Sequence, residues 1–137
     1  MKFVSEDEVL GTSLPSSGAL AYLGDARHAL FVRRMLVERG YTKSGDLNRM
    51  ALNYVTAEAQ ALAYRKIEHS FTELERAVWR RAANSTHLNR PKHASVTDYR
   101  YATGLEAVIG MLEWLHNDER INELLELAYG GENDTEN

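Results

Sequence analysis

Two acidic residues lie in predicted helical segments among small and apolar neighbours, which cannot pair with a negative charge. Asp25 lies in ALAYLGDARHAL and Glu106 in YATGLEAVIGML, each with small or apolar residues one turn away. Ionised carboxylates are seldom buried unless they are paired or bound to a cation. If the two helices converge, the acids offer oxygen ligands for Mg²⁺, which takes few carboxylates and keeps several waters. Water activated by such an ion can hydrolyse a phosphodiester without a histidine or serine nucleophile.

These residues also have plainer interpretations. Asp25 can form a salt bridge with Arg27 or Arg33 at the edge of its helix, and the residue types alone favour this. Three glycines near the acids permit close helix contact, with or without a metal, and these are Gly24, Gly104 and Gly110. Both interpretations remain open from the sequence.

Other catalytic patterns are missing from the sequence. The absence of cysteine excludes a thiolate nucleophile and cysteine-ligated zinc, and it suits a reducing cytoplasm. The five histidines form no HExxH pair, and we predict each of them at the surface. P-loop, dinucleotide-binding and α/β-hydrolase motifs do not occur. Tyr99 and Tyr101 either pack on the core, which is the commoner reason for such residues, or stack on bases.

Charge is distributed unevenly along the chain. The net charge is -4, yet residues 113–137 carry eight acids against one arginine. Between residues 76 and 105 the only acid is Asp98, and this segment attracts phosphate backbones, although a solvated face explains many similar runs. Its basic residues are Arg76, Arg80, Arg81, Arg90, Lys92 and Arg100, with His87 and His93 interspersed.

The elements that must position these residues are predicted to be helices. The chain has 137 residues, 44% of them hydrophobic, with helical apolar spacing almost throughout. We expect one all-α domain of about six or seven helices over residues 16–130, after an N-terminal segment, 1–15, and before an acidic flexible tail, 131–137. No apolar run approaches a membrane span and the acidic start is unlike a signal peptide, so we expect a cytoplasmic protein.

Capping signals predict where the helices begin and end. The first helix should begin near Ser16 or Ser17 and stop at Gly40, and a last helix should stop at Gly130 and Gly131. Further starts are predicted near Ser44, after Thr56, at a Thr72–Glu75 capping box and at Ser95. The first helix should bury Leu20, Leu23, Ala26 and Leu30, and the helix after Ser95 should bury Tyr101, Leu105, Val108, Leu112 and Leu115.

Four segments occur in the order typical of one enzyme family. YLGDA, residues 22–26, and GLEAVIG, residues 104–110, resemble the two acidic motifs of the ribonuclease III catalytic domain. YVTAEAQA and RRAANS lie between them in the family's order, and the resemblance extends over residues 20–128. The closer match is the Mini-III branch, which has the all-helical nuclease domain without the double-stranded-RNA-binding domain.

The resemblance implies a homodimeric endonuclease that cuts double-stranded RNA and leaves 5′-phosphate and 3′-hydroxyl ends. Asp25 and Glu106 would be its catalytic pair and its Mg²⁺ ligands. The expected substrate is the precursor of large-subunit (23S) ribosomal RNA, with a large-subunit ribosomal protein assisting. The residues expected to bind RNA are Arg80, Arg81, Asn84, Arg90, Lys92, His93 and Arg100.

The sequence departs from full-length ribonuclease III at several points. Gly18, Ala21 and Thr103 stand where that enzyme has further acids, and fewer carboxylates neutralise an ion less. The Mini-III branch looks similar in these losses. RRAANS also lacks the lysine expected after its asparagine. We predict that the polar loop over residues 86–94 lies against a duplex groove and influences which sites are cut.

Two other functions fit parts of the sequence. A non-catalytic helical protein that kept the fold can use the basic segment to bind structured RNA or a ribosomal protein. A helical metal-dependent phosphohydrolase acting on nucleotides is the second, and the lack of histidine–aspartate ligand pairs argues against it.

Overall fold

Six α-helices form the part of the chain that this computed structural model describes, residues 14–85 and 93–130. No strand occurs in these two ranges, so the all-α prediction is confirmed. No helix within them is long and apolar enough to cross a lipid bilayer. The predicted tail and most of the predicted N-terminal segment and polar loop lie outside them. The helices are α1 (Ser17–Glu38), α2 (Ser44–Val55), α3 (Ala57–Ile67), α4 (Glu73–Ser85), α5 (Val96–Trp114) and α6 (Asp118–Tyr129), with a 3₁₀ turn at Glu68–Ser70.

Side-chain caps begin the helices where the sequence predicts them. The hydroxyls that cap α1, α3 and α5 accept backbone N–H bonds of 3.2, 3.1 and 3.0 Å, and they belong to Ser16, Thr56 and Ser95. At the start of α4, Thr72 and Glu75 form a reciprocal capping box with bonds of 3.0 and 3.1 Å. After α1, Gly40 adopts a φ of 101°, a left-handed conformation that favours glycine. These predicted boundaries are confirmed.

The central helix is α5. It contacts α1, α3, α4 and α6. A helix surrounded on most sides must be apolar over successive residues rather than along one stripe, and the sequence of α5 has this pattern. Its buried residues are Ala102, Gly104, Leu105, Ala107, Val108, Ile109, Gly110, Met111 and Leu112.

The backbones of α1 and α5 approach closely where the two helices cross. A Cβ atom added to Gly24 would lie 1.6 Å from the carbonyl oxygen of Glu106, and one added to Gly110 would lie 1.8 Å from that of Leu20. Only glycine fits at both positions, because no side-chain atom tolerates such distances to backbone. The crossing brings the segment that contains Asp25 against the segment that contains Glu106.

The buried face of α1 differs from the predicted one. Leu30, predicted in the core, is 58% exposed, and Ala26 is exposed as well. The contact of Gly24 with α5 decides this, because it turns that side of α1 inward and leaves the side of Leu30 to solvent. The residues that α1 buries are Leu20, Ala21, Gly24, His28, Val32 and Leu36.

Two further sequence predictions were wrong. His28, predicted at the surface, is completely buried because it lies on the inward face of α1, where its Nε2 is 2.8 Å from the Tyr129 hydroxyl. Leu115, predicted in the core, is 47% exposed because α5 ends at Trp114, immediately before it.

Candidate active site

The two acids singled out in the sequence meet at the crossing of α1 and α5. Asp25 follows Gly24 on α1, and Gly24 touches the backbone of Glu106 on α5. The two carboxyl groups are within hydrogen-bonding reach of each other. Asp25 is exposed to solvent, whereas Glu106 is half-buried. The pair therefore combines an enclosed carboxyl with one that an ion or a phosphate can approach from solvent.

A third polar group reaches this pair from α3. Gln60 is only 2% exposed. Its Nε2 donates to Oε2 of Glu106 at 3.3 Å and to the carbonyl oxygen of Val55 at 3.1 Å. Three helices thus meet at the site, since α1, α3 and α5 each contribute a side chain.

The surroundings of Glu106 disfavour its negatively charged form. The pKa of Glu106 is raised to about 8, mainly by burial and in addition by the hydrogen bond and negative charge of Asp25. The hydrogen bond from Gln60 acts in the opposite direction. The protonated form of Glu106 is therefore favoured near neutral pH unless a cation binds beside it.

The salt-bridge interpretation of Asp25 fails among the residues that the structure describes. Arg27 pairs instead with Glu113, with 3.0 Å between its Nε and the carboxylate. Arg33 is exposed two turns further along α1 and forms no ion pair with Asp25. Within the described ranges, no arginine supplies the positive charge that would compensate the pair.

The carboxyl pair suits a hard divalent cation. In residues 14–85 and 93–130 no group of three or more histidine, cysteine or acidic side chains is placed to hold a metal. Mg²⁺ does not need such a group, because it is often bound by one or two carboxylates with water completing its shell. Burial and the neighbouring Asp25 raise the pKa of Glu106, and a bound cation would act in the opposite direction.

The residues expected to bind RNA fall on α4, on α5 and around the predicted loop. Arg80, Arg81 and Asn84 are exposed on α4. Arg100 on α5 donates to Asn84 Oδ1 at 2.7 Å and to the Ala83 carbonyl oxygen at 3.0 Å, so these two candidates are joined directly. The remaining candidates are His93, which is exposed, and Arg90 and Lys92, which lie outside the described residues.

Sequence reasoning missed Gln60. From sequence, Gln60 lies in the YVTAEAQA segment and has no assigned role, yet a signal was present. Ala63, Tyr64 and Ile67 are buried on α3, and Gln60 lies three, four and seven residues before them, on the same helical stripe. A polar residue on an apolar stripe needs a buried partner, and here the partner is Glu106.

Tyr101, one of the two tyrosines that flank Arg100, packs on the core. Tyr101 contacts the rings of Tyr64 and Trp79 with centroids 5.2 and 5.3 Å apart. Tyr64 and Trp79 are themselves stacked at 4.3 Å. The guanidinium of Arg65 covers the Tyr101 ring at 5.1 Å. The core-packing interpretation of Tyr101 is therefore confirmed.

Comparison with known proteins decides the family. The sequence profile described as Ribonuclease III domain matches residues 18–116, well over half of the chain. The chain belongs to the ribonuclease III family. Mini-ribonuclease 3 from Symbiobacterium thermophilum is 44% identical over 109 residues, which cover 80% of this chain and 84% of that protein. Mini-ribonuclease 3 from Streptococcus pneumoniae is 37% identical over 119 residues, 85% of this chain and 93% of that protein.

A solved structure agrees with this assignment. A Fusobacterium nucleatum protein, known from its crystal structure, matches with a TM-score of 0.78 and 31% identity, over 94% of this chain and 100% of that one. The resemblance recognised from four motifs is confirmed, down to the Mini-III branch. This ribonuclease III family member is an endoribonuclease, which favours catalysis over both alternative functions.

Proposed function

We propose that this endoribonuclease uses Mg²⁺, bound by Asp25 and Glu106, to hydrolyse double-stranded RNA. The observation that carries the proposal is the convergence of these two carboxyls at the α1–α5 crossing without a compensating arginine among the described residues. The products are a 5′-phosphate and a 3′-hydroxyl end. The cellular substrate is the precursor of 23S ribosomal RNA, in the cytoplasm.

The residues of the chain divide the work at this site. When bound, the ion supplies an acidified water molecule and neutralises charge on the phosphate. Glu106 provides a fixed ligand because α5 is packed on several sides and Gln60 holds its Oε2. Asp25 provides the ligand on the solvent side, where the phosphodiester backbone approaches.

Duplex RNA is bound through its backbone in this proposal. A-form RNA is recognised mostly by shape and by phosphate and 2′-hydroxyl contacts, for which arginine and asparagine donors are suited. Arg100 is held against the end of α4 by Ala83 and Asn84, so its guanidinium has a defined position. Further contacts come from Arg80, Arg81, Arg90, Lys92 and His93.

We also infer that the protein acts as a homodimer, assisted by a large-subunit ribosomal protein. Support for a self-contact comes from α1, whose outer side exposes large apolar groups. Tyr22 is 84% exposed, Leu30 58% and Val37 59%. Exposed apolar groups grouped on one element are typical of protein interfaces. Trp114 and Leu115 at the end of α5, 51% and 47% exposed, offer a second apolar surface.

The proposal is tested with the paired stem that joins the two ends of the 23S precursor. With Mg²⁺ we expect discrete cuts on both strands, lost in EDTA and restored by excess Mg²⁺. Each downstream product should be degraded by a 5′-phosphate-dependent exonuclease. One strand of the same stem, presented alone, is the matched control and should stay intact. Cleavage that persists in EDTA, or a duplex left uncut, would contradict the proposal.

A further inference from the structure

In the side-chain amide of Gln60, the nitrogen has hydrogen-bond partners and the oxygen has none among the described residues. Its Nε2 donates to Glu106 and to Val55, at 3.3 and 3.1 Å. Its Oε1 is buried and has no hydrogen-bond partner in the described part of the chain. Buried amide oxygens are nearly always paired, so an orphan of this kind calls for a partner such as a water molecule or an ion.

The amide of Gln60 is held at two points. It lies in the first turns of α3, whose start is capped by the Thr56 hydroxyl. Its bond to the Val55 carbonyl ties it to the end of α2, and its bond to Glu106 reaches α5. A carboxylate with one oxygen fixed by such a donor presents its other oxygen in a defined direction.

We propose that Gln60 is a positioning residue of the metal site. Its N–H group orients Glu106 toward the cation, and its carbonyl oxygen accepts a hydrogen bond from a water molecule of the cation's hydration shell. Mg²⁺ retains several such waters, whose hydrogens need acceptors. The two roles together explain why a buried position on an apolar stripe carries an amide. This inference rests on the proposed Asp25–Glu106 site.

The test compares Gln60→Leu with Thr56→Ala. Gln60→Leu removes both polar ends of the amide at similar volume. Thr56→Ala removes the cap at the start of the same helix and leaves the Gln60–Glu106 bond in place. For each protein, an apparent Mg²⁺ dissociation constant is obtained without RNA, from the rise of Tm with Mg²⁺ concentration. The Mg²⁺ concentration for half-maximal cleavage, kcat and the KM for duplex are then measured separately.

We expect Gln60→Leu to raise the Mg²⁺ dissociation constant by about 10–100-fold, as for other groups that orient a metal ligand. At limiting Mg²⁺ it should lower kcat and leave the KM for duplex unchanged. Thr56→Ala should lower Tm without changing the Mg²⁺ constant. In a Glu106→Gln background, Gln60→Leu should weaken Mg²⁺ binding less than it does in the wild type, because the ligand that Gln60 orients is already gone and only its contact with the hydration shell is lost.

Other results would overturn the inference. If Gln60→Leu only lowers Tm, as Thr56→Ala does, Gln60 is structural. Gln60→Met provides the same comparison if the leucine variant does not fold. Asp25→Asn separates this failure from that of the proposed site. Loss of Mg²⁺ binding in Asp25→Asn with none in Gln60→Leu refutes the role of Gln60 alone, whereas unchanged Mg²⁺ binding in Asp25→Asn refutes the two-acid site itself.

Discussion

The residues of the proposed metal site differ in how readily the sequence identifies them. A residue is easier to identify when its type is unusual among its neighbours. Asp25 and Glu106 are recognisable because acids among small and apolar helical neighbours demand compensation. Gln60 is less visible, since a glutamine near a helix start is ordinary until its neighbours are known to be buried. The burial of His28 cannot be predicted from the sequence, because it depends on which side of α1 faces α5, and that is a tertiary property.

At the residue scale, His28 predicts a loss of stability in acid. Burial lowers its pKa to about 4, with the charge of Asp25 opposing this effect. The unfolded chain has a pKa near 6.5 for histidine and therefore binds the proton first as pH falls. The stabilising contribution is complete above that pH and is lost toward pH 4, by about 3 kcal/mol at most.

Urea unfolding at pH 7.5 and 5.0 measures this loss against a His28→Gln variant. The comparison is needed because Glu106, whose pKa is raised to about 8, acts in the opposite direction. Its folded form binds protons more tightly than its unfolded form, so its contribution increases as pH falls. The variant should lose less stability between the two pH values than the wild type. Equal losses in both proteins would contradict the burial argument.

At the element scale, the helix caps and the helix crossing differ in how far sequence predicts them. Serine and threonine caps are local, and those at Ser16, Thr56 and Ser95 were found directly from residue type. Which side of α1 is buried is set by a contact between segments more than 80 residues apart, at Gly24 and Gly110. Periodicity alone placed Leu30 in the core because nothing local marks that contact.

The crossing of α1 and α5 predicts a strong effect of Gly24→Ala. The added Cβ would lie 1.6 Å from the Glu106 carbonyl oxygen, so the helices must separate, and cleavage should be lost with the site geometry. We expect a loss of about 1–3 kcal/mol or more in unfolding free energy, measured by urea denaturation.

Gly18→Ala is the matched control for this change. It lies on the same helix with no atom within 4 Å of the added Cβ. Because alanine is the better helix former, this variant should be neutral or more stable by up to about 1 kcal/mol. Similar destabilisation by both substitutions would argue against the close crossing.

A buried ion pair between α4 and α6 should contribute strongly to the free energy of unfolding. Arg120 donates to Glu75 through Nε and Nη2, both at 2.8 Å, and to the Ser70 carbonyl oxygen at 2.7 Å. Because Glu75 is 3% exposed, Arg120→Ala leaves a buried charge unpaired and should cost about 3–5 kcal/mol. The exposed Arg34–Glu38 pair gives the control, and Arg34→Ala should cost less than about 1 kcal/mol. Equal values from thermal unfolding would contradict this ranking.

For the whole molecule, the sequence predicted the fold class and the family but not the surfaces. The helical spacing of apolar residues can be seen directly in the sequence, and it predicts the all-α fold. Four motifs in the family's order identify the family. Exposed apolar groups are harder to foresee, because Tyr22 and Leu30 resemble core residues until α1 is oriented against α5. The surface of α1 became apparent only from the packed structure.

This exposed side of α1 predicts the association state. The wild type should sediment as a dimer of the 15.5 kDa chain, and the double variant Tyr22→Glu, Leu30→Glu should sediment as a monomer with unchanged helical content. Leu62→Glu, which places the same charge at a leucine 52% exposed on α3, should remain a dimer. Sedimentation velocity distinguishes these outcomes, and a monomeric wild type would refute the self-contact.

The central claim is that Asp25 and Glu106 together hold the catalytic ion. The most direct measurement is the rate of cleavage of a long RNA duplex at increasing Mg²⁺ by the wild type, Asp25→Asn and Glu106→Gln, each shown to be folded. Asp46, which is partly exposed and pairs with Arg49 on α2, provides the control Asp46→Asn. We expect both site variants to lose cleavage by about three orders of magnitude or more while still binding duplex, and the control to cut normally. Cleavage that survives either site substitution at low Mg²⁺ would contradict this account.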